Sequence, residues 1–132
     1  MDIIEYPKKE SEAEIQARLW LMLKNKGIDA RLQVTGRING RHPKLDIVVF
    51  RNKIPQAIIE CKSWAGKSHM RSLYKKGLYN TKQIRNYNNF GLPVFICGGP
   101  DFIQETIELV LESYQSKQYE HVFNSREGND NA

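Results

Sequence analysis

The chain is poor in the residues that make soft-metal, thiol-redox and membrane proteins. Among its 132 residues are two cysteines and three histidines. Cys61 and Cys97 show neither the C-x-x-C nor the Cys/His spacing of a zinc site, and His42, His69 and His121 are too scattered to form one. Both cysteines lie in apolar runs, where a reduced thiol behaves as a small hydrophobe. No apolar run approaches the length needed to span a bilayer. The N-terminal MDIIEYPKKESE is polar and acidic where a secretory leader is basic and then apolar, so the expected location is the cytoplasm, with no membrane partner. There is no P-loop lysine and no complete dinucleotide fingerprint, so Gly98-Gly99-Pro100 reads as a turn. Internal repeats and low-complexity linkers are also absent.

What is present has ordinary globular proportions, 40% hydrophobic and 27% charged. The length predicts one domain with a single core, placed over residues 1–114, followed by a polar, disordered tail over 115–132. A net charge of +5 favours a polyanionic partner without specifying one.

The stretch Leu45 to Trp64 carries the chemistry. Two apolar, strand-like runs, Leu45 to Phe50 and Gln56 to Lys62, hold Asp46 on the first and Glu60 and Lys62 on the second. Charges in buried strands are costly unless they are paired, exposed at a strand end or kept for a reaction. Side chains alternate along a strand, so Glu60 and Lys62 share a face while Ile59 and Cys61 point the other way. In an antiparallel hairpin Asp46 joins that face only if the loop has an odd length or a bulge shifts the register. A three-residue loop at Asn52 to Ile54 sets Asp46 opposite Glu60. A five-residue loop ending at Gln56 sets it opposite Lys62. Pro55 donates no ladder hydrogen bond and limits the possible registers.

Around this hairpin, Ser11 to Lys26 reads as a helix with Ser11 as N-cap, an apolar stripe of Ile15, Leu19, Met22 and Leu23, and Gly27 as its stop. Glu14, three residues after Ser11, fits a capping box; its other reading is a third carboxylate reaching the site. Ile28 to Thr35 predicts a strand. The loop from Gly36 to Lys44 brings Arg37, Arg41 and Lys44 just upstream of Asp46, where they can meet phosphates, or else it is a solvated turn. A basic helix is expected from about His69 to Asn89. Its Arg71, Lys75, Lys82 and Tyr87, with Lys67 before it, suit a surface that tracks a nucleic-acid backbone; the alternative is a solvated face with inward tyrosines. Leu92 to Cys97 predicts a buried strand, and Asp101 is expected to cap a last helix with an Ile103, Ile107, Val110, Leu111 stripe.

Clustered carboxylates are hard oxygen ligands suited to Mg2+ or Mn2+, with the Cys61 backbone carbonyl as a further ligand and Lys62 placed to assist a water. Leu45-Asp46 followed by Ile58-Ile59-Glu60-Cys61-Lys62 resembles the PD-(D/E)xK nuclease superfamily, although Lys44-Leu45 stands where a proline commonly precedes the aspartate. The phrase DIVVFRNKIPQAIIECKS is similar to the nuclease domain of type I restriction motor subunits. The first helix is similar to that of the VRR-NUC nucleases, which implies Glu14 as a metal-site acid. Gln83 and Tyr87 resemble a Gln-x-x-x-Tyr motif of recombination and repair nucleases.

The resemblance covers about residues 11 to 111. It implies an α/β, restriction-endonuclease-like αβββαβ core, a mixed central sheet flanked by helices. It further implies a Mg2+- or Mn2+-dependent deoxyribonuclease in which Asp46, Glu60, Lys62, Glu14 and Gln83 are catalytic and Asp46, Glu60, Glu14 and the Cys61 carbonyl hold metal. The substrate implied is structured or partner-targeted DNA, cut by a monomer or a homodimer, with RNA as a further possibility. The alternative is a non-catalytic nucleic-acid-binding module on the same fold.

Overall fold

The computed structural model describes residues 2–63 and 87–114. Its elements run α1 (Glu12–Asn25), β1 (Asp29–Thr35), β2 (Lys44–Arg51), β3 (Ile54–Cys61) and β4 (Val94–Cys97), then a 3₁₀ turn (Pro100–Phe102) and a helix over 103–114. The strands form one mixed sheet in the order β1-β2-β3-β4, antiparallel except for the parallel β3/β4 pair. The architecture is therefore α/β, a four-stranded mixed sheet with two helices among the described residues.

Local chemistry fixes both ends of α1. The Ser11 hydroxyl accepts from the Glu14 amide at 3.2 Å, and the Glu14 carboxylate accepts from the Ser11 amide at 3.3 Å, which completes the capping box. At the other end Gly27 adopts φ 79°; its N–H donates to Lys24 O and the Ile28 N–H to Leu23 O, the two bonds of a Schellman motif. Between them Ile15, Leu19 and Leu23, spaced by four, are fully buried. They pack with Ile47, Val49, Ala57, Ile59, Ile103, Ile107 and Val110 in the main core.

A second cluster of Leu45, Val48, Ile58 and Tyr87, with Phe90, Leu92 and Val94 packed against it, forms a second core. Strands β2 and β3 are thus apolar along most of their length because both faces are covered. Fully burying each such side chain contributes roughly 1.5–3 kcal/mol. Truncating Ile59, which is 0% exposed, would cost about 2–5 kcal/mol.

The β2/β3 hairpin has a two-residue turn, Asn52-Lys53, both with positive φ (52° and 66°), as a type I′ turn requires. Such a turn by itself puts Asp46 and Glu60 out of step. The correction comes from a bulge: Phe50 pairs with Pro55 but Val49 with Ala57, so Gln56 is the extra residue. Its side-chain amide turns back to the carbonyls of Ile54 and Pro55, and Pro55, lacking an N–H, sits beside the irregularity, where a proline is tolerated. The odd-length loops expected from the sequence are both replaced by this device, and the placement of Asp46 opposite Lys62 is overturned.

On the other side of β2, the β1 pairing passes over Gln33, which has φ 51°. The alternation breaks there: Leu45 packs with Val48 in the second core while Ile47 faces the first. Asp46 sits at that break.

The segment 36–43 is not an irregular loop. Gly36 N–H donates to Pro43 O, and Ile38 and Arg41 exchange both backbone bonds around Asn39-Gly40, whose φ values of 49° and 74° make a second type I′ turn. The β1/β2 ladder therefore continues in the same register into a narrow finger. One further expectation is corrected: Asp101 lies inside the 3₁₀ turn begun by Pro100, and the residue at its N-cap is Gly99, without a side-chain cap bond. The expected helix from His69 to Asn89, apart from helical residues 87–88, and the expected tail over 115–132 lie outside the described residues.

Candidate active site

Continuing the β2/β3 register one pair beyond Ile47 and Ile59 puts Asp46 across from Glu60. Side chains take over the ladder at that point. The Cys61 amide donates to Asp46 Oδ2 at 2.8 Å, and the Asp46 amide donates to Glu60 Oε1 at 3.3 Å. Glu60 is only 3% exposed, while Asp46 is half-buried.

This crowding has an electrostatic consequence. Burial first, and the neighbouring Asp46 charge second, push the Glu60 carboxyl from the ordinary 4.5 up to about 8; Lys62, just beyond the strand end, pulls weakly the other way. The Lys62 amide donates to Cys97 O at 2.8 Å, which ties the residue to the end of the parallel β3/β4 pair. Behind the site Cys61 and Cys97 are register partners, both buried and free. The hydrogen-bonded Cys97 thiol, followed by burial, drives the Cys61 thiol upward, so it stays protonated.

A pair of oxygen donors that retains a proton near neutral pH is short of positive charge, and its hard ligands fit Mg2+ or Mn2+. Asp46, Glu60 and the Cys61 carbonyl would hold such an ion. Among the described residues, however, no three His, Cys, Asp or Glu side chains group around one point. Glu14 is not grouped with the pair. Its carboxylate is committed to the Ser11 amide and hydroxyl, so in this arrangement it is a capping residue and not a third ligand.

The other expected residues divide three ways. Arg37, Arg41 and Lys44 are exposed on the finger, and Lys44 Nζ donates to Thr35 Oγ1 at 2.6 Å. Tyr87 is corrected: it is 6% exposed and packs in the second core, so its ring presents no stacking surface. Gln83, Lys67, Arg71, Lys75 and Lys82 lie outside the described residues.

One neighbour escaped the sequence reading. The N-terminal arm runs past the end of β3, where Lys9 Nζ donates to Ser63 O at 3.5 Å, and with Glu14 and Pro100 it lines a cleft of about 450 Å³. Arg18 anchors the arm, bonding Glu10 at 2.8 Å and the Pro100 carbonyl at 3.5 Å. The Pro7-Lys8-Lys9 sequence was the available signal.

No family model, curated protein or solved structure matches this chain. No described helix is long and apolar enough to cross a membrane.

Proposed function

We propose that the chain is a metal-dependent DNA nuclease with a restriction-endonuclease-like core of the PD-(D/E)xK kind. The observation that carries this reading is the convergence of Asp46 and Glu60 across a bulged ladder, with Lys62 just beyond the end of β3. Two carboxyls drawn together in a buried setting are unfavourable for folding alone, and a divalent cation offsets their repulsion. A bound Mg2+ or Mn2+ polarises a phosphate oxygen, acidifies a water and balances charge on the leaving oxygen. Asp46 and Glu60 would hold and orient such an ion, Glu60 as the carboxylate after its proton is lost to solvent. Lys62 orients the attacking water and stabilises negative charge as it develops on the phosphorus oxygens. Asp46 is in turn fixed by the Cys61 amide, so its direction does not depend on the ligand.

One such centre cuts one strand, so double-strand cleavage calls for a homodimer or a targeting partner.

The test is cleavage of linear, nicked and branched DNA with Mg2+ or Mn2+. Asp46→Asn and Lys62→Ala each should lower the rate by roughly 10²-fold or more. Unchanged cleavage by both variants would assign the activity to a contaminant. Salt-sensitive DNA binding that ignores Mg2+, with no cleavage, would favour the non-catalytic binding module instead.

A further inference from the structure

The finger over residues 35–44 has a shape and charge the nuclease centre does not explain. It is a two-stranded ribbon, paired at Thr35/Lys44, Gly36/Pro43 and Ile38/Arg41, and closed by the tight Asn39-Gly40 turn. Its base is seated on the second core. A Cβ built on Gly36 would lie 2.7 Å from Phe90 Cζ, so a larger residue there would have to displace that ring, and Val34 and Leu45 pack beside it. Between Asp29 and Asp46 the sequence contains no acid, and Arg37 and Arg41 form no ion pair among the described residues.

We infer that this finger enters the major groove of B-form double-stranded DNA and sets the position of the cut relative to the bases it touches. The inference rests on the nuclease reading for the identity of the nucleic acid. A two-stranded ribbon fits a groove about 12 Å wide and about 8.5 Å deep, and the finger projects about 13 Å from Gly36 to its tip at roughly 3.3 Å per residue. The minor groove, about 6 Å wide, is too narrow. The deep, narrow major groove of A-form RNA is closed to it. Arg37 and Arg41 flank the tip and are the side chains placed to meet phosphates and base edges. Asp46 follows Lys44 by two residues on β2, so the ribbon and the carboxyl pair are adjacent along one strand. Cleavage should then fall within about 25 Å, or roughly seven base pairs, of the contacted groove.

Fluorescence anisotropy in EDTA with duplex DNA, single-stranded DNA and duplex RNA of equal length, across 50 to 200 mM salt, tests this with the full chain and the Arg37→Ala/Arg41→Ala variant. The expected result is a preference for duplex DNA that falls about tenfold or more in the variant, with a salt slope smaller by about 2. Guanine N7 methylation should weaken wild-type binding, and a minor-groove ligand should not. Equal losses on all three nucleic acids, unchanged duplex binding by a variant with a wild-type melting curve, or competition by the minor-groove ligand alone would overturn it. Cleavage with Mg2+ separates the two claims. Wild-type cleavage with no change of KM in the variant refutes the finger, whereas finger-dependent duplex binding without cleavage refutes the nuclease.

Discussion

Replacing Glu60 by glutamine is the most direct probe of the buried carboxyl pair. In the folded chain the Glu60 carboxyl is held near 8, against an ordinary 4.5. A carboxyl whose folded value is raised binds its proton more tightly in the native state. Its contribution to stability is complete below about 4.5 and is lost as the pH rises through about 8. At 1.36 kcal/mol per tenfold change, the loss approaches about 4–5 kcal/mol as an upper limit. Glutamine keeps the shape and cannot ionise, so Glu60→Gln should lack this slope. Urea denaturation of both proteins in EDTA at pH 5, 6, 7, 8 and 8.5 measures the effect, and the difference between them cancels the titrating groups that do not interact with Glu60. The wild type should lose stability relative to the variant by roughly 1 kcal/mol per pH unit between pH 5 and 8. A difference that stays flat across that window would mean Glu60 ionises normally in the native state, and the argument from burial and Asp46 would fail.

Deleting Gln56 should be tolerated, because the pairs from Val49 and Ala57 inward are unchanged when the bulge loses its extra residue. The expected cost is about 1 kcal/mol by chemical denaturation, with cleavage retained; an unfolded or inactive product would show that the bulge itself aims the carboxyls. Ser11→Ala should lower stability by about 1 kcal/mol through the cap, read as a fall of a few degrees in Tm. Glu14→Gln should leave Mg2+ affinity within about threefold by calorimetry, since glutamine preserves a capping box; a loss of tenfold or more would make Glu14 a metal ligand after all.

Features that depend on neighbours in sequence were legible before the fold was known. The Ser11/Glu14 box and the Gly27 stop are local chemistry, and both stand where the sequence puts them. The shared face of Asp46 and Glu60 was legible only as a condition on register. The means of meeting it was hidden, because a bulge at Gln56 is chosen by cross-strand packing and Lys53 adopts a left-handed conformation its own propensity disfavours. The finger carried a plain signal in Asn39-Gly40, but its basic, proline-bearing flanks resembled a solvated loop. For Tyr87 the pattern fitted an exposed or an inward ring equally well, and the apolar surroundings of Val48, Ile58 and Phe90 decide it. At Asp101 the preceding Pro100 opens a 3₁₀ turn, so the aspartate arrives too late to cap.

The Cys61 amide bonds to a carboxylate oxygen where a strand would normally offer it a carbonyl. Its proton resonance is therefore a built-in spectroscopic gauge of the site. In a ¹⁵N-correlated spectrum of uniformly labelled protein that single peak should move when Asp46 is neutralised or engaged by a cation. Protonation of the carboxyl pair and its occupancy by a cation then become readable from one backbone signal without a substitution.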